Sequence, residues 1–208
     1  MGEPLHLSLW FREFSEEAML RYWAAVLEQF PQSSFSPGIR SLAIYPLRWT
    51  EAPILEQLFD EGADAGQVVS LAEEFLHEDC AYEARLQWDV WEPQENADRL
   101  DQWKRVPTMV AVTCLGSLFE PEEAADRGPL QLELGLDSLF LPPEGVVADA
   151  DFQESAAGSC YRDNIGQLLQ FIHRLEQKLP LVRCQLWSES GDDFAGRVRS
   201  AWQLHAAP

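Results

Sequence analysis

Basic side chains are what this chain lacks most. Its 208 residues hold 15 Lys and Arg against 35 Asp and Glu, a net charge of −20. A field this negative repels nucleic acid and anionic membrane surfaces, and it steers cationic partners inward. Long apolar runs are missing as well. None approaches the ~18 residues that a membrane span needs. The start, Met1-Gly2-Glu3-Pro4, has neither a basic n-region nor an apolar h-region, so no secretory signal is read and a cytoplasmic location is expected.

The four cysteines, Cys80, Cys114, Cys160 and Cys184, form no C-x-x-C pair. That argues against a cysteine zinc site or a thiol redox motif, and disulfides are not expected in this compartment. Cys114 and Cys184 fall in apolar strand patterns and read as small buried hydrophobes. Nucleophile signatures are absent too: there is no G-x-S-x-G, no S-x-x-K and no H-E-x-x-H. No catalytic residue is assigned, and no cofactor or metal is expected.

Three local clusters come closest to chemistry, and each falls short. In His77-Glu78-Asp79-Cys80 a helix would put residues 77 and 80 on one face, but two ligands do not make a metal site. Asp60-Glu61-Gly62-Ala63-Asp64 has oxygen donors around a glycine that comes third rather than sixth, so the calcium-loop pattern fails. Ser188-Glu189-Ser190-Gly191-Asp192-Asp193 joins a strand to a helix through a glycine, a geometry that binds anions, but its three acids would repel a phosphate.

Apolar residues are plentiful: 46% of the chain is hydrophobic and 11% aromatic, enough for a buried core. Leu5, Leu7 and Leu9 alternate with polar neighbours and predict a strand. Ser15 is placed to cap a helix, with Phe14 and Met19 at the staple positions. Ala18, Met19, Tyr22, Trp23, Val26, Leu27 and Phe30 recur along it at helical spacing. A strand follows over 39–45. Thr50 and Pro53 open a helical region that breaks near Gly62 and resumes over 64–78. The clearest strand has Tyr82, Ala84, Leu86, Trp88 and Val90 on one side and Glu83, Arg85, Gln87, Asp89 and Trp91 on the other. Residues 92–107 read as a connector with a short helix near Leu100 and Trp103. Strands are predicted over 108–115 and 130–136, joined by an acidic loop at 119–128. Residues 142–160 carry no period. Asp163 or Asn164 then caps a helix ending at Pro180, followed by a strand over 181–187 and a last helix, capped by Asp192 or Asp193, with Phe194, Val198 and Trp202 on one face.

This order predicts an α+β fold with a mixed or antiparallel sheet and helices mainly on one face. A ferredoxin-like core with additions is the specific expectation. Residues 1–208 are expected to form one domain, with 1–91 and 106–208 as packed halves the alternative division.

The negative charge is unevenly spread. Residues 49–84 hold 10 acids and no basic residue; residues 106–161 hold 10 acids and one basic residue. The expectation is a non-catalytic binding protein that docks a basic protein partner. A toxin-neutralising immunity protein, or an inhibitor that mimics nucleic acid, is the analogy in size, charge and lack of motif. The partner-binding candidates are Glu73, Glu74, Glu78, Asp79, Glu83, Asp89 and Trp91. This reading requires the two acidic segments to share one face. Two other readings stand beside it: an accessory domain whose acidity serves solubility, and a small-ligand or enzymatic domain with a pocket between sheet and helices.

Overall fold

The computed structural model describes residues 2–94, 102–142, 150–191 and 193–201. Its centre is one seven-stranded sheet, wholly antiparallel, in the order β3-β2-β4-β5-β6-β1-β7. The strands are β1 (Pro4–Phe11), β2 (Ile39–Pro46), β3 (Leu55–Ala63), β4 (Cys80–Pro93), β5 (Trp103–Leu115), β6 (Leu130–Leu136) and β7 (Leu181–Ser188). The helices are α1 (Glu16–Gln29), α2 (Ala65–Glu73), α3 (Pro121–Arg127), α4 (Ala150–Glu154), α5 (Ala156–Lys178) and α6 (Phe194–Ala201), with a 3-10 turn at Asp137–Leu139.

Alternation along the strands makes two different faces. Leu5, Leu7, Leu9, Leu42, Ile44, Tyr82, Leu86, Trp88, Val110 and Val112 are fully buried and share one core with Trp23 and Val26 of α1, Val68 and Ala72 of α2, and Leu168 and Phe171 of α5. Burying such side chains supplies the main drive for folding, roughly 1.5–3 kcal/mol each. The opposite face carries a much smaller cluster in which Ala81, Leu115 and Phe119 pack with Tyr45, Trp49 and Ala124 of α3.

Four expectations are corrected by this architecture. The region after Thr50 and Pro53 is the edge strand β3 rather than a helix; pairing with β2 and burial of Leu55 and Phe59 against the core override its local pattern. The connector at 92–107 is largely the far half of the long β4–β5 hairpin, paired from Ala81↔Leu115 to Pro93↔Trp103. Trp103 is therefore a strand residue, and Leu100 lies outside the described residues. The acidic loop at 119–128 contains α3, started by Pro121. The period-free stretch before Asp163 holds α4 and the first turns of α5, capped by Ser155, whose hydroxyl accepts from the Gly158 amide. Asp163 and Asn164 thus sit inside α5. At the last helix, Asp193 accepts from the Gly196 amide, while Asp192 and Trp202 lie outside the described residues.

Gly62 shows why β3 bends. It has φ +81°, and a Cβ there would run into the Pro37 carbonyl and Gly38. The register of β2 against β3 slips at this bulge, between Ile39 and Ser41.

Candidate functional site

Antiparallel register lines up side chains across the sheet's second face. One row runs Glu56 (β3), Ala43 (β2), Glu83 (β4), Thr113 (β5), Gln131 (β6), Ser8 (β1) and Gln185 (β7). The next row runs Leu58, Ser41, Arg85, Ala111, Glu133, His6 and Trp187. Small residues in the middle keep the face shallow, and carboxylates stand among them. Leu58 is 67% exposed and Met109, on the same face of β5, is 46% exposed.

α3 closes one end of this face. Glu123 accepts from the Trp49 indole at 3.0 Å and from Gln131 at 3.4 Å, and the Trp10 indole donates to the Ala125 carbonyl at 3.3 Å. Glu83 accepts from Arg85 Nε at 2.8 Å. The local field registers in neighbouring groups. Burial, then Glu83 and Glu56, push the Tyr45 hydroxyl above its ordinary pKa against the opposing pull of Arg85. The Glu83 hydrogen bond and charge hold the Arg85 guanidinium still more firmly protonated, with Glu133 adding to them. Carboxylates from both acidic segments, Glu83 and Glu133, therefore act on Arg85.

The seven partner-binding candidates are spread over four places. Glu73 and Glu74 are exposed at the end of α2, a helix that packs through Val68 and Ala72 on the apolar face, away from Glu83. Glu78 and Asp79 lie where the chain enters β4: the Glu78 carbonyl accepts from Leu118 and that of Asp79 from Leu47, and the Asp79 carboxylate meets His77 Nδ1 at 2.7 Å. Glu83 stands on the polar sheet face. Asp89 and Trp91 are farther along β4, beyond the reach of β2.

Asp89 is 5% exposed, and its carboxylate is occupied internally. It accepts from the Ser33 hydroxyl, from the Ser34 amide at 2.8 Å and from the Ser34 hydroxyl at 2.6 Å. Burial works against its charge, but the Ser33 and Ser34 bonds, helped by Arg105, override it and hold its pKa below the ordinary value. Trp91 is half-buried, and its indole donates to Asp163 of α5 at 3.2 Å. Asp89, Trp91, Arg105, Asp163 and Gln167 border a polar cleft of about 410 Å³ between the β4–β5 hairpin and α5.

Among the described residues, no group of three His, Cys, Asp or Glu side chains is placed to hold a metal ion. No helix among them is long and apolar enough to cross a membrane. All four cysteines are free. Burial pushes the Cys80 thiol to about 11, with Asp79 adding to it, and the Cys184 thiol to about 12. Neither thiol carries the thiolate character of a nucleophile at neutral pH.

Glu56, Glu133, Glu123 and Arg85 were not among the sequence candidates. Glu83 and Glu133 each lie on the polar side of a half-exposed strand pattern, so their exposure was readable. Their neighbourhood was not, because β4, β5 and β6 come together only through long-range pairing. Comparison with known protein families, with curated proteins and with solved structures finds no match to this chain.

Proposed function

We propose that this chain is a non-catalytic acidic binding protein that docks a basic protein partner, in the manner of an immunity protein or inhibitor, on the second face of its sheet. The observation that carries the reading is the alignment of Glu56 and Glu83 in one row, with Glu133 one row away, on a shallow face edged by Leu58 and Met109. Acids from two segments far apart in sequence meet there, as a docking face requires. Spaced carboxylates on small residues favour steering and register; the exposed apolar groups supply area to bury.

The same reading extends to architecture. We take 1–208 as a single α+β domain whose strands β7-β1-β6-β5, with α1 and α5, make a ferredoxin-like core. In it β1–α1–β5 and β6–α5–β7 interleave, each pair of strands enclosing one of the other. On this view β2, β3, α2 and β4 are additions that widen the sheet and bring Glu56 and Glu83 to it.

The test compares two charge-reversed proteins: one with Glu56, Glu83 and Glu133 changed to Lys, the other with Glu73, Glu74, Glu78 and Asp79 changed to Lys. Both are checked for native near-ultraviolet circular dichroism and used with wild type to capture partners from native extract at low salt. A basic protein that binds wild type and the α2 variant, leaves with salt and ignores the sheet variant supports the reading. Equal capture by all three proteins, or no specific capture by any, returns the acidity to a solubility role.

A further inference from the structure

At the β1–β7 end of the same face two arginines come together. The Arg183 guanidinium (β7) lies over the Trp10 ring, 4.1 Å from its centroid. Arg127, the last residue of α3, lies 5.2 Å from the Trp187 centroid, and the Trp187 ring stacks on His6 at 4.4 Å. Arg127, Arg183, Trp187, Gln185 and Asp126 border a cavity of about 360 Å³.

Two features make this more than a surface depression. In a chain with 15 Lys and Arg and a net charge of −20, two guanidiniums share one cavity, and among the described residues neither forms an ion pair. Each is also steadied face-on by an indole. A cation–π contact holds the charge in place without neutralising it, and the guanidinium's five N–H donors outnumber the acceptors beside it. Arg183 gives one of these donors to Gln185. The N-terminus of α6 is not the source of the site, because Asp193 already takes its Gly196 amide. Sequence alone read only the acids of 188–193 here; the fold adds Arg127 from across the sheet.

We propose that this cavity binds a small oxyanion, a phosphate or carboxylate group held between the Arg127 and Arg183 guanidiniums. Both oxyanions match the fork geometry of arginine and form charge-assisted bonds with it. Asp126 is the single described carboxylate on the cavity wall and offsets part of the two arginines' attraction for an anion.

The experiment is a two-dimensional NMR titration of the ¹⁵N-labelled full chain, reading its tryptophan indole N–H signals. Trp10→Phe and Trp187→Phe assign the two that matter. Sodium phosphate and sodium acetate are the probes, each balanced with chloride at constant ionic strength, so that the two arms separate a phosphate site from a carboxylate site. The expected result is a saturable shift of the Trp10 and Trp187 signals with at least one probe, while the buried Trp23 and Trp88 stay still. Arg127→Gln and Arg183→Gln are each expected to weaken binding about tenfold, the loss of one charge-assisted bond. The wild-type titration decides alone if a variant fails to fold, which the Trp23 and Trp88 signals reveal. No saturation below about 50 mM of either probe, identical shifts with chloride, or unchanged affinity in both folded variants overturns the proposal.

Discussion

Asn164 is expected to be among the most sensitive single residues of this fold. It is 2% exposed and sits in α5 beside the stretch of β4 that β2 does not reach. Its Oδ1 accepts from the Trp91 amide at 2.8 Å, and its Nδ2 donates to the Trp91 carbonyl at 2.9 Å and the Leu139 carbonyl at 2.8 Å. One carboxamide thus replaces a neighbouring strand along that edge and anchors the 3-10 turn as well. Asn164→Ala strips partners from three backbone groups. Each costs about 1–3 kcal/mol if left dry, and water regains part of that near the half-exposed Trp91, so a total of roughly 3 kcal/mol is expected. For a chain of this size that lowers Tm by about 6–12 °C. Urea unfolding followed by tryptophan fluorescence measures it, with an unchanged slope showing that the loss is in stability. Asn164→Asp sharpens the test. It keeps an acceptor for the Trp91 amide but sets a carboxylate oxygen against two carbonyls, so it should be the less stable variant at pH 7 and recover as the acid protonates. A loss below about 1 kcal/mol in the alanine variant, or an aspartate variant equal to wild type at pH 7, would refute the edge-clamp account.

Two further outcomes follow from local geometry. Because the Asp89 pKa is depressed in the folded chain, its stabilisation is complete above the ordinary value of 3.8 and is lost as pH falls through the lower folded value. Denaturation across pH 7 to 2 should therefore show Asp89→Asn weaker than wild type by about 1–3 kcal/mol at neutral pH, with the gap closing in acid; a pH-independent gap contradicts the charged Ser33–Ser34 clasp. Gly62→Ala forces a side chain onto a φ of +81° and into Pro37, and should cost about 2–4 kcal/mol. Gly166→Ala, in α5 with nothing near its Cβ, should instead gain up to about 1 kcal/mol, and the opposite ranking in thermal melts would show that the β3 bulge is softer than described.

Sequence legibility tracked local periodicity. The stripe of α1 and the alternation of β4 were readable because one face of each is buried against the same core. β3 was not, because an edge strand pairs on one side only; its Glu56, Gln57, Asp60 and Glu61 stay exposed, and the few apolar residues fit a helical spacing as well. The start of α5 was hidden because Ala156, Ala157 and Ser159 bring no apolar period, and the helix declares itself through the Ser155 cap and the buried Gly158 and Tyr161. Within the site, Glu83 could be read as solvent-facing but Asp89, three pleats on and identical in pattern, could not be read as buried. What separates them is that β2 stops short and the Ser33–Ser34 loop folds over Asp89 instead. That contact lies 55 to 56 residues away in the chain, and no window on the sequence contains it.

The two ends of the polar sheet face are close enough to influence each other. Glu133 pairs across to His6, and His6 to Trp187, so two inter-strand steps, about 10 Å, separate this carboxylate from the arginine cavity. At that distance in water one unit charge opposes a bound anion by roughly 0.4 kcal/mol, or about twofold in affinity. Near 10 mM salt about 70% of that survives, because the Debye length is about 30 Å; at physiological salt it falls to about 8 Å and most of the effect is screened. Glu133→Gln should therefore tighten phosphate binding about twofold in dilute buffer and leave it unchanged in high salt. A large, salt-independent change would mean that Glu133 touches the anion directly, and no change in dilute buffer would mean that the strand register does not bring the two ends together. By linkage, a cationic partner seated over Glu133 at the acidic end would raise anion affinity in the same way, and the bound anion would strengthen that partner by the same factor.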